Sequence, residues 1–177
     1  ATQGTLHGAF TLKRGAIAEL EARGFFGTGA DARAVVDDPY GPPRLLDLST
    51  GRLRGLFPTG DGFSLGSGWS TTAPSTGSVR FTPQAAVVEG RSLARRPLRQ
   101  LEVRFGSAVA LLAGTLTIPP GPGRHPAVAF VAGSGPTVRA YLPDLTALLV
   151  DRGVAVLTYD KRGNGQSGGS YPGESFR

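Results

Sequence analysis

The segment from residue 126 to residue 160 restricts the fold of this chain more than any other. It opens with a continuous apolar run, Pro126–Ala132 (PAVAFVA), as expected of a strand covered on both faces. A glycine turn, Gly133–Pro136, follows, and leucines at positions 142, 145, 148 and 149 then recur at helical spacing and predict one buried stripe. Val154–Tyr159 is a second apolar strand. Strand, turn, helix and strand in this order predict a βαβ unit with two parallel strands.

The ends of the predicted helix, Tyr141–Arg152, carry the expected residues. Pro143 suits a first helical turn, because its missing N–H is not needed there. Asp144 complements the positive end of the helix dipole. Gly153 is a natural stop after the last leucine. These residues predict a helix of about three turns between the two strands.

The first half of the chain consists of short strand-like runs separated by turn residues. With 27 Gly and 14 Pro among 177 residues, and no triplet period, the composition favours a turn-rich fold of short strands. The predicted strands there are Gly8–Leu12, Ala34–Val36, Leu45–Leu48, Leu53–Phe57, Val79–Thr82 and Ala85–Val88. We interpret residues 58–78 as hairpin loops anchored by Phe63 and Trp69, and Ala16–Arg23 as a short helix.

A polar, basic stretch, Glu89–Pro97, is typical of a domain boundary. We therefore predict a mainly-β domain over residues 1–93 and a second domain over residues 94–177. The second domain opens with two further strands, Leu101–Phe105 and Val109–Ile118.

Composition removes several classes of function. The absence of Cys excludes disulfide scaffolds, thiolate metal sites and a Cys nucleophile, and His7 and His125 are the only histidines. We therefore expect no metal and no cofactor. No apolar run is long enough for a membrane-spanning helix, so we expect no membrane span. The chain begins with Ala1, which suggests processing or trimming and favours a secreted or periplasmic protein over a cytoplasmic one.

The net charge is +6, and most of the excess lies in the half of the chain after Leu93, while the densest cluster of basic residues is Arg91, Arg95, Arg96 and Arg99. Such a cluster can touch phosphate or anionic lipid, or can be a solvated linker. No aromatic residues interleave with the arginines, so nothing in this pattern provides stacking surfaces for bases. We expect no nucleic-acid partner and interpret the cluster as a linker.

The glycine turn at the end of the first apolar strand suits two chemistries. Dinucleotide binding would use G-x-G-x-x-G with an acid near the end of the second strand, where Asp160 stands. Two residues argue against dinucleotide binding. Val138 stands where the third glycine of the motif belongs, and Pro136 lacks a backbone N–H that could bind the phosphates. The second chemistry is an oxyanion hole, in which backbone N–H groups bind a developing negative oxygen.

The stretch from Val103 to Gly169 resembles the α/β-hydrolase superfamily, in particular bacterial prolyl-oligopeptidase-like and serine-aminopeptidase-like hydrolases. The motif residues that match are Asp160, Arg162, Gly163, Gly165, Ser167 and Gly169, together with the GSGP loop. Ala132 departs from the pattern, since the family often has His there. The resemblance implies an α/β fold, the opening part of a hydrolase sheet preceded by a small mainly-β domain. It also implies that the backbone N–H groups of Ser134 and Gly135 form an oxyanion hole.

Two G-x-S-x-G matches, around Ser64 and Ser167, are interpreted as loop serines. Ser64 precedes the oxyanion loop, and Ser167 is not followed by a helix, whereas a nucleophile elbow needs a strand-to-helix turn after that loop. Neither histidine lies where the catalytic base would follow. We therefore expect the chain to stop before the triad begins and Asp160 and Arg162 to be structural residues.

The function expected from the resemblance is that of one chain of a serine hydrolase, an esterase or peptidase, acting on a small-molecule or peptide acyl substrate. This chain alone is predicted to be inactive and to need a companion polypeptide carrying the rest of the domain. One alternative is a non-catalytic ligand-binding or envelope protein, and another is a dinucleotide-binding oxidoreductase fragment.

Overall fold

The computed structural model describes residues 23–38, 41–67, 74–107 and 110–171. These residues form two compact units: one contains residues 43–96 together with the segment before residue 36, and the other contains residues 36–42 and everything from Pro97 onward. Several predicted features lie outside the described residues, namely His7, Trp69, the strand Gly8–Leu12 and all but the last residue of the helix Ala16–Arg23.

The first unit is a closed barrel of eight strands in sequence order. They are β1 (Gly24–Phe26), β2 (Arg33–Val36), β3 (Arg44–Asp47), β4 (Leu53–Pro58), β5 (Phe63–Gly66), β6 (Ser75–Phe81), β7 (Ala85–Val88) and β8 (Arg91–Arg96). The barrel closes where β1 pairs antiparallel with β8, with Phe25 opposite Arg96. Eight strands leave an interior that side chains can fill. Its buried core consists of Phe26, Val35, Leu45, Leu56, Leu65, Val79, Ala86, Val88 and Leu93.

Three of the four clustered arginines, Arg91, Arg95 and Arg96, belong to barrel strand β8, and Arg99 begins the next strand in the sequence, so the interpretation of the cluster as a linker is wrong. Leu93 points into the core from β8 while its neighbours face outward. The Arg95 guanidinium donates to the carbonyls of Arg23 (2.5 Å) and Pro83 (2.8 Å) and lies 4.7 Å from the centre of the Phe26 ring. One inward leucine among arginines is a weak period-two signal, which is why the sequence suggested a linker.

The region 58–78 also differs from its prediction as loops. It contains β5 and the beginning of β6, which pair antiparallel with Phe63 opposite Val79. Leu65 on β5 is fully buried. The Gly and Ser residues that flank Leu65 are small strand residues here, since a β-carbon on Gly66 would lie 2.6 Å from the Phe57 ring.

The second unit is a four-stranded sheet with one α-helix. Its strands are β9 (Arg99–Ser107), β10 (Ala110–Ile118), β11 (Ala127–Ala129) and β12 (Ala155–Tyr159), in the spatial order β11-β12-β10-β9. β9 and β12 pair antiparallel with β10, and β11 pairs parallel with β12. A 3₁₀ turn (Arg139–Tyr141) and helix α1 (Pro143–Asp151) connect β11 to β12. The predicted strand–helix–strand order is therefore confirmed.

Two details of this unit were predicted wrongly. β11 is only three residues long and exposed, whereas the apolar run Pro126–Ala132 predicted a strand covered on both faces. Helix α1 buries Ala147 and Val150, while Leu145 of the predicted leucine stripe is exposed. In both cases an apolar sequence predicts burial, but β11 is the edge of the sheet in the described part of the chain, and helix α1 buries Ala147 and Val150.

The α/β fold class and the resemblance to α/β-hydrolases are wrong. The described residues are 46% strand and 11% helix, so the class is mainly β. An α/β-hydrolase has a central sheet with many helices, whereas the described residues hold an eight-stranded antiparallel barrel and one short α-helix. The hydrolase labels drawn from the resemblance conflict with this fold. The motifs that suggested it describe local turns, and a turn does not determine how the rest of a chain folds.

Candidate functional site

Asp160, at the end of β12, is the centre of a buried hydrogen-bond network. Its carboxylate accepts from the backbone N–H of Arg139 (2.7 Å) and from the guanidinium Nε (3.1 Å) and Nη2 (2.9 Å). The backbone N–H of Gln166 donates to the same carboxylate (2.9 Å). Arg139 also donates to Glu102 on β9 and to the Thr115 hydroxyl (3.3 Å) on β10. The network fixes the loop after β11 against three neighbouring strands.

These contacts change the acidity of the groups involved. Burial raises the pKa of Asp160, but the hydrogen bonds from Arg139 and Gln166 outweigh it, so that the pKa lies below its ordinary value. The pKa of Arg139 is raised, chiefly by its hydrogen bond to Asp160. Hydrogen bonding from Thr115 and the charge of Arg139 lower the pKa of Glu102 against a burial effect. Asp160 is therefore a structural carboxylate, held ionised by its partners.

The turn after Asp160 owes its shape to Ser167 and a glycine. The buried Ser167 hydroxyl donates to the Asp160 carbonyl (2.6 Å) and accepts from the Ala113 N–H (2.9 Å). Gly165 has a φ of +52°, and a β-carbon there would lie 2.5 Å from the Asp160 carboxylate. The Asp-x-Arg-Gly-x-Gly-x-Ser pattern is thus a folding motif that closes the turn over a buried aspartate.

The glycine loop Gly133–Pro136 lies beside this turn and is bound to it by Lys161. The Lys161 ammonium donates to the carbonyls of Gly133 (2.6 Å), Ser134 (3.2 Å) and Gly135 (3.0 Å). The Tyr171 hydroxyl donates to the Ser134 carbonyl as well. Three successive carbonyl groups of the loop therefore face one cation.

The loop's N–H groups face the other way. In a trans peptide the N–H is antiparallel to the C=O, and the described residues contain no cis peptide bond. The N–H groups of Ser134 and Gly135 share peptides with the carbonyls of Gly133 and Ser134, so they point away from Lys161. Among the described residues, neither N–H finds a hydrogen-bond acceptor. Both are therefore available to an oxygen atom that does not belong to the described residues.

An apolar groove adjoins the loop. Its walls are the segment 130–133, which follows β11, and the residues in and around the 3₁₀ turn, and Thr158 and Tyr159 of β12 also line it. Val131, Val138 and Tyr141 line it with 81%, 46% and 57% of their surfaces exposed. Large side chains of this kind are usually covered, so an exposed cluster marks a site of interaction. The groove and the two free N–H groups share the loop that begins at Gly133.

The structure brings some predicted site residues together and separates others. Ser134 and Gly135 lie on the exposed loop, and their role as oxyanion donors stays a prediction. Asp160 pairs with Arg139 and not with Arg162. Ser64 lies on strand β5 of the barrel and not in a loop.

The sequence interpretation missed three residues of the site: Arg139, Lys161 and Tyr171. Arg139 gave no signal, because it follows Val138 in an irregular segment and its partner lies 21 positions away. Lys161 lies inside the Asp160–Gly169 motif at a position that the motif leaves free. Lys161 comes soon after the strand β12, at the edge of the sheet where the glycine loop also lies. A charged residue in that position is a sequence signal that would have identified Lys161.

Further observations limit the chemistry of the described residues. No group of three or more His, Cys, Asp or Glu side chains among them is arranged to hold a metal ion. No helix in the described part of the chain is long and apolar enough to cross a membrane. No family model, curated protein or solved structure matches the chain.

Proposed function

We propose that the unit beginning at Pro97 binds a small acyl compound without transforming it. The ligand's carboxylate or carbonyl oxygen accepts hydrogen bonds from the Ser134 and Gly135 N–H groups, and its apolar part lies in the groove. The observation that supports this function is the pair of unpaired N–H groups next to exposed apolar side chains. An acyl compound has both of the matching parts, one polar oxygen end and one apolar chain.

The test is an NMR titration of the full chain with straight-chain carboxylates from acetate to hexanoate. Binding should shift the amide signals of Ser134 and Gly135 saturably. A fully buried CH₂ adds about 0.8 kcal/mol, so affinity should rise by at most about fourfold for each added CH₂. No saturable shift, or an affinity independent of chain length, would contradict the proposal.

Two pairs of variants separate the two halves of the site. Ser134→Pro removes the N–H and should abolish binding, whereas Ser134→Ala keeps the N–H and should bind like the wild type. In the groove, Val138→Asp should weaken hexanoate binding, whereas Leu145→Asp, at an exposed residue outside the groove lining, should not. Equal effects within either pair would count against the assigned geometry.

We also propose that β11 is covered by a strand of a companion polypeptide. In support, β11 is the last strand of its sheet among the described residues, and all three of its residues are exposed. An exposed apolar edge strand offers unpaired N–H and C=O groups for pairing with another chain. Intact-mass analysis of the protein isolated from its source should reveal a second polypeptide, and a lone 18.3 kDa species that stays monomeric would refute the idea.

A further inference from the structure

We infer that Lys161 makes the acyl site selective for free carboxylates over neutral esters of the same chain length. The inference rests on the proposed function and adds to it the class of ligand and the residue that selects it. Lys161 does not touch the ligand in this arrangement, so it is a positioning and selectivity residue.

The contacts of Lys161 fix the loop from both of its ends. The backbone N–H of Lys161 donates to the Thr137 carbonyl (3.0 Å), and its ammonium reaches the carbonyls that begin at Gly133. The ammonium also lies 5.2 Å from the centre of the Tyr171 ring, within range of a cation–π contact. This arrangement keeps the carbonyl ends of the loop peptides toward Lys161 and their N–H ends toward the outside.

No carboxylate among the described residues forms an ion pair with Lys161. Its hydrogen-bond partners there are neutral carbonyl oxygens. Arg139, the other cation near the groove, pairs with Asp160 and Glu102. The positive charge in direct contact with the loop is therefore that of Lys161, and the loop peptides lie between it and the ligand.

A carboxylate and an ester use this charge differently. Both accept hydrogen bonds from the Ser134 and Gly135 N–H groups, but only the carboxylate carries a net charge that Lys161 attracts. A single charge pair separated by a peptide layer near the surface is worth roughly a threefold to tenfold change in affinity. The wild type should accordingly bind hexanoate several-fold more tightly than methyl hexanoate.

The experiment compares the two ligands in three proteins: the wild type, Lys161→Met and Lys161→Arg. Lys161→Met keeps a long side chain without charge and removes the hydrogen bonds that orient the loop, so it should weaken both ligands. Hexanoate affinity should fall by about threefold to tenfold more than methyl hexanoate affinity, the size of one partly screened charge pair. Lys161→Arg keeps the charge and should preserve the preference for hexanoate. In the wild type, added salt should weaken hexanoate binding and leave methyl hexanoate binding nearly constant.

The outcomes distinguish this inference from the function on which it rests. If neither ligand binds the wild type, the proposed function fails. If both ligands bind and Lys161→Met weakens both equally, Lys161 only supports the loop and the selectivity inference is wrong. If Lys161→Met does not fold, the salt dependence of the wild type decides: a hexanoate affinity independent of salt overturns the inference.

Discussion

The buried carboxylate of Asp160 receives three hydrogen bonds from Arg139, one from its backbone N–H and two from its guanidinium. Arg139 lies in the connection between β11 and β12, at the start of the 3₁₀ turn, whereas Asp160 directly follows β12. Arg139 directly follows Val138 in the groove wall, so the ion pair holds that wall against the end of β12. The stability of the second unit and the shape of the groove therefore depend on the same contact.

Arg139→Met should destabilise the second unit strongly. It leaves a buried carboxylate with only backbone donors, and breaking a buried ion pair by removing one partner costs about 3 kcal/mol or more. Urea unfolding followed by circular dichroism measures the loss, and hydrogen exchange at the Ala113 amide localises it to this unit. Glu102→Gln is the control, because Glu102 is mostly exposed and its ion pair should be worth less than about 1 kcal/mol. If both variants lose the same free energy of unfolding, the ion pair between Arg139 and Asp160 stabilises the unit no more than the exposed pair with Glu102.

Acid should weaken both units through two aspartates whose pKa is lower in the folded chain than in the unfolded chain. For Asp47, burial raises the pKa, but hydrogen bonds from Ser49 and Thr50 outweigh it. Asp160 follows the same balance. When the pH falls below about 3.9, the ordinary value, the unfolded chain takes up protons before the folded chain does. Their stabilisation is thus complete above that pH and is lost as the pH falls through the folded pKa.

The measurement is the urea midpoint as a function of pH, from about pH 6 to about pH 3, on either side of the ordinary Asp pKa. Asp47→Asn and Asp160→Asn should each lower the midpoint at the upper end and flatten its decline toward acid. Asp61→Asn should have little effect, because the side chain is 81% exposed and solvent screens its ion pair with Arg80. A decline as steep in both single variants as in the wild type would contradict the assignment.

Ser167→Ala tests the interpretation of Ser167 as a structural residue. The substitution leaves the Ala113 N–H and the Asp160 carbonyl without their hydroxyl partner, which should cost about 1 to 3 kcal/mol of the free energy of unfolding. Ser170→Ala is the control, since Ser170 is exposed. A Ser167→Ala variant as stable as the wild type would show that water replaces the hydroxyl without loss.

Substitution of Gly165 separates two costs: the backbone strain of an alanine at positive φ and the steric clash of its β-carbon with Asp160. Gly165→Ala and Gly153→Ala both place an alanine at positive φ, which costs about 1 to 2 kcal/mol. Only at Gly165 does the new β-carbon also meet the Asp160 carboxylate, whereas nothing lies within 4 Å of a β-carbon at Gly153. Gly165→Ala should therefore be clearly the more destabilising of the two in urea unfolding. The opposite order would mean that Asp160 moves aside at little cost.

The sequence predicted the positions of single strands and of the helix better than it predicted how these elements pair and pack. The strands around Leu45, Leu56 and Val88 and helix α1 were found, because their periodicity and end residues are local signals. The arginine-rich strand β8 was missed, since its place depends on pairing with β1 and β7 and only Leu93 reports the buried face. Closure of the barrel is a long-range property that no local pattern contains.

The candidate site was predicted in part for the same reason. The bend at residues 134 and 135 was predicted, because glycine and proline mark turns by themselves, although β11 ends at Ala129 and not at Ala132. The partners of that turn, Arg139 and Lys161, depend on tertiary contacts that spacing does not reveal. The error about fold class arose when two local turn motifs were read as a whole domain.

The exposed edge strand β11 should make the isolated chain self-associate. All three residues, Ala127–Ala129, are exposed and uncharged, and edge strands without charges pair readily with other strands. Val128→Lys places a charge on that strand and should lower the concentration-dependent increase in sedimentation coefficient. Ala140→Lys adds the same charge at an exposed position away from the edge and should not. If the wild type sediments as a monomer at all concentrations, or both lysines act alike, the edge does not drive association.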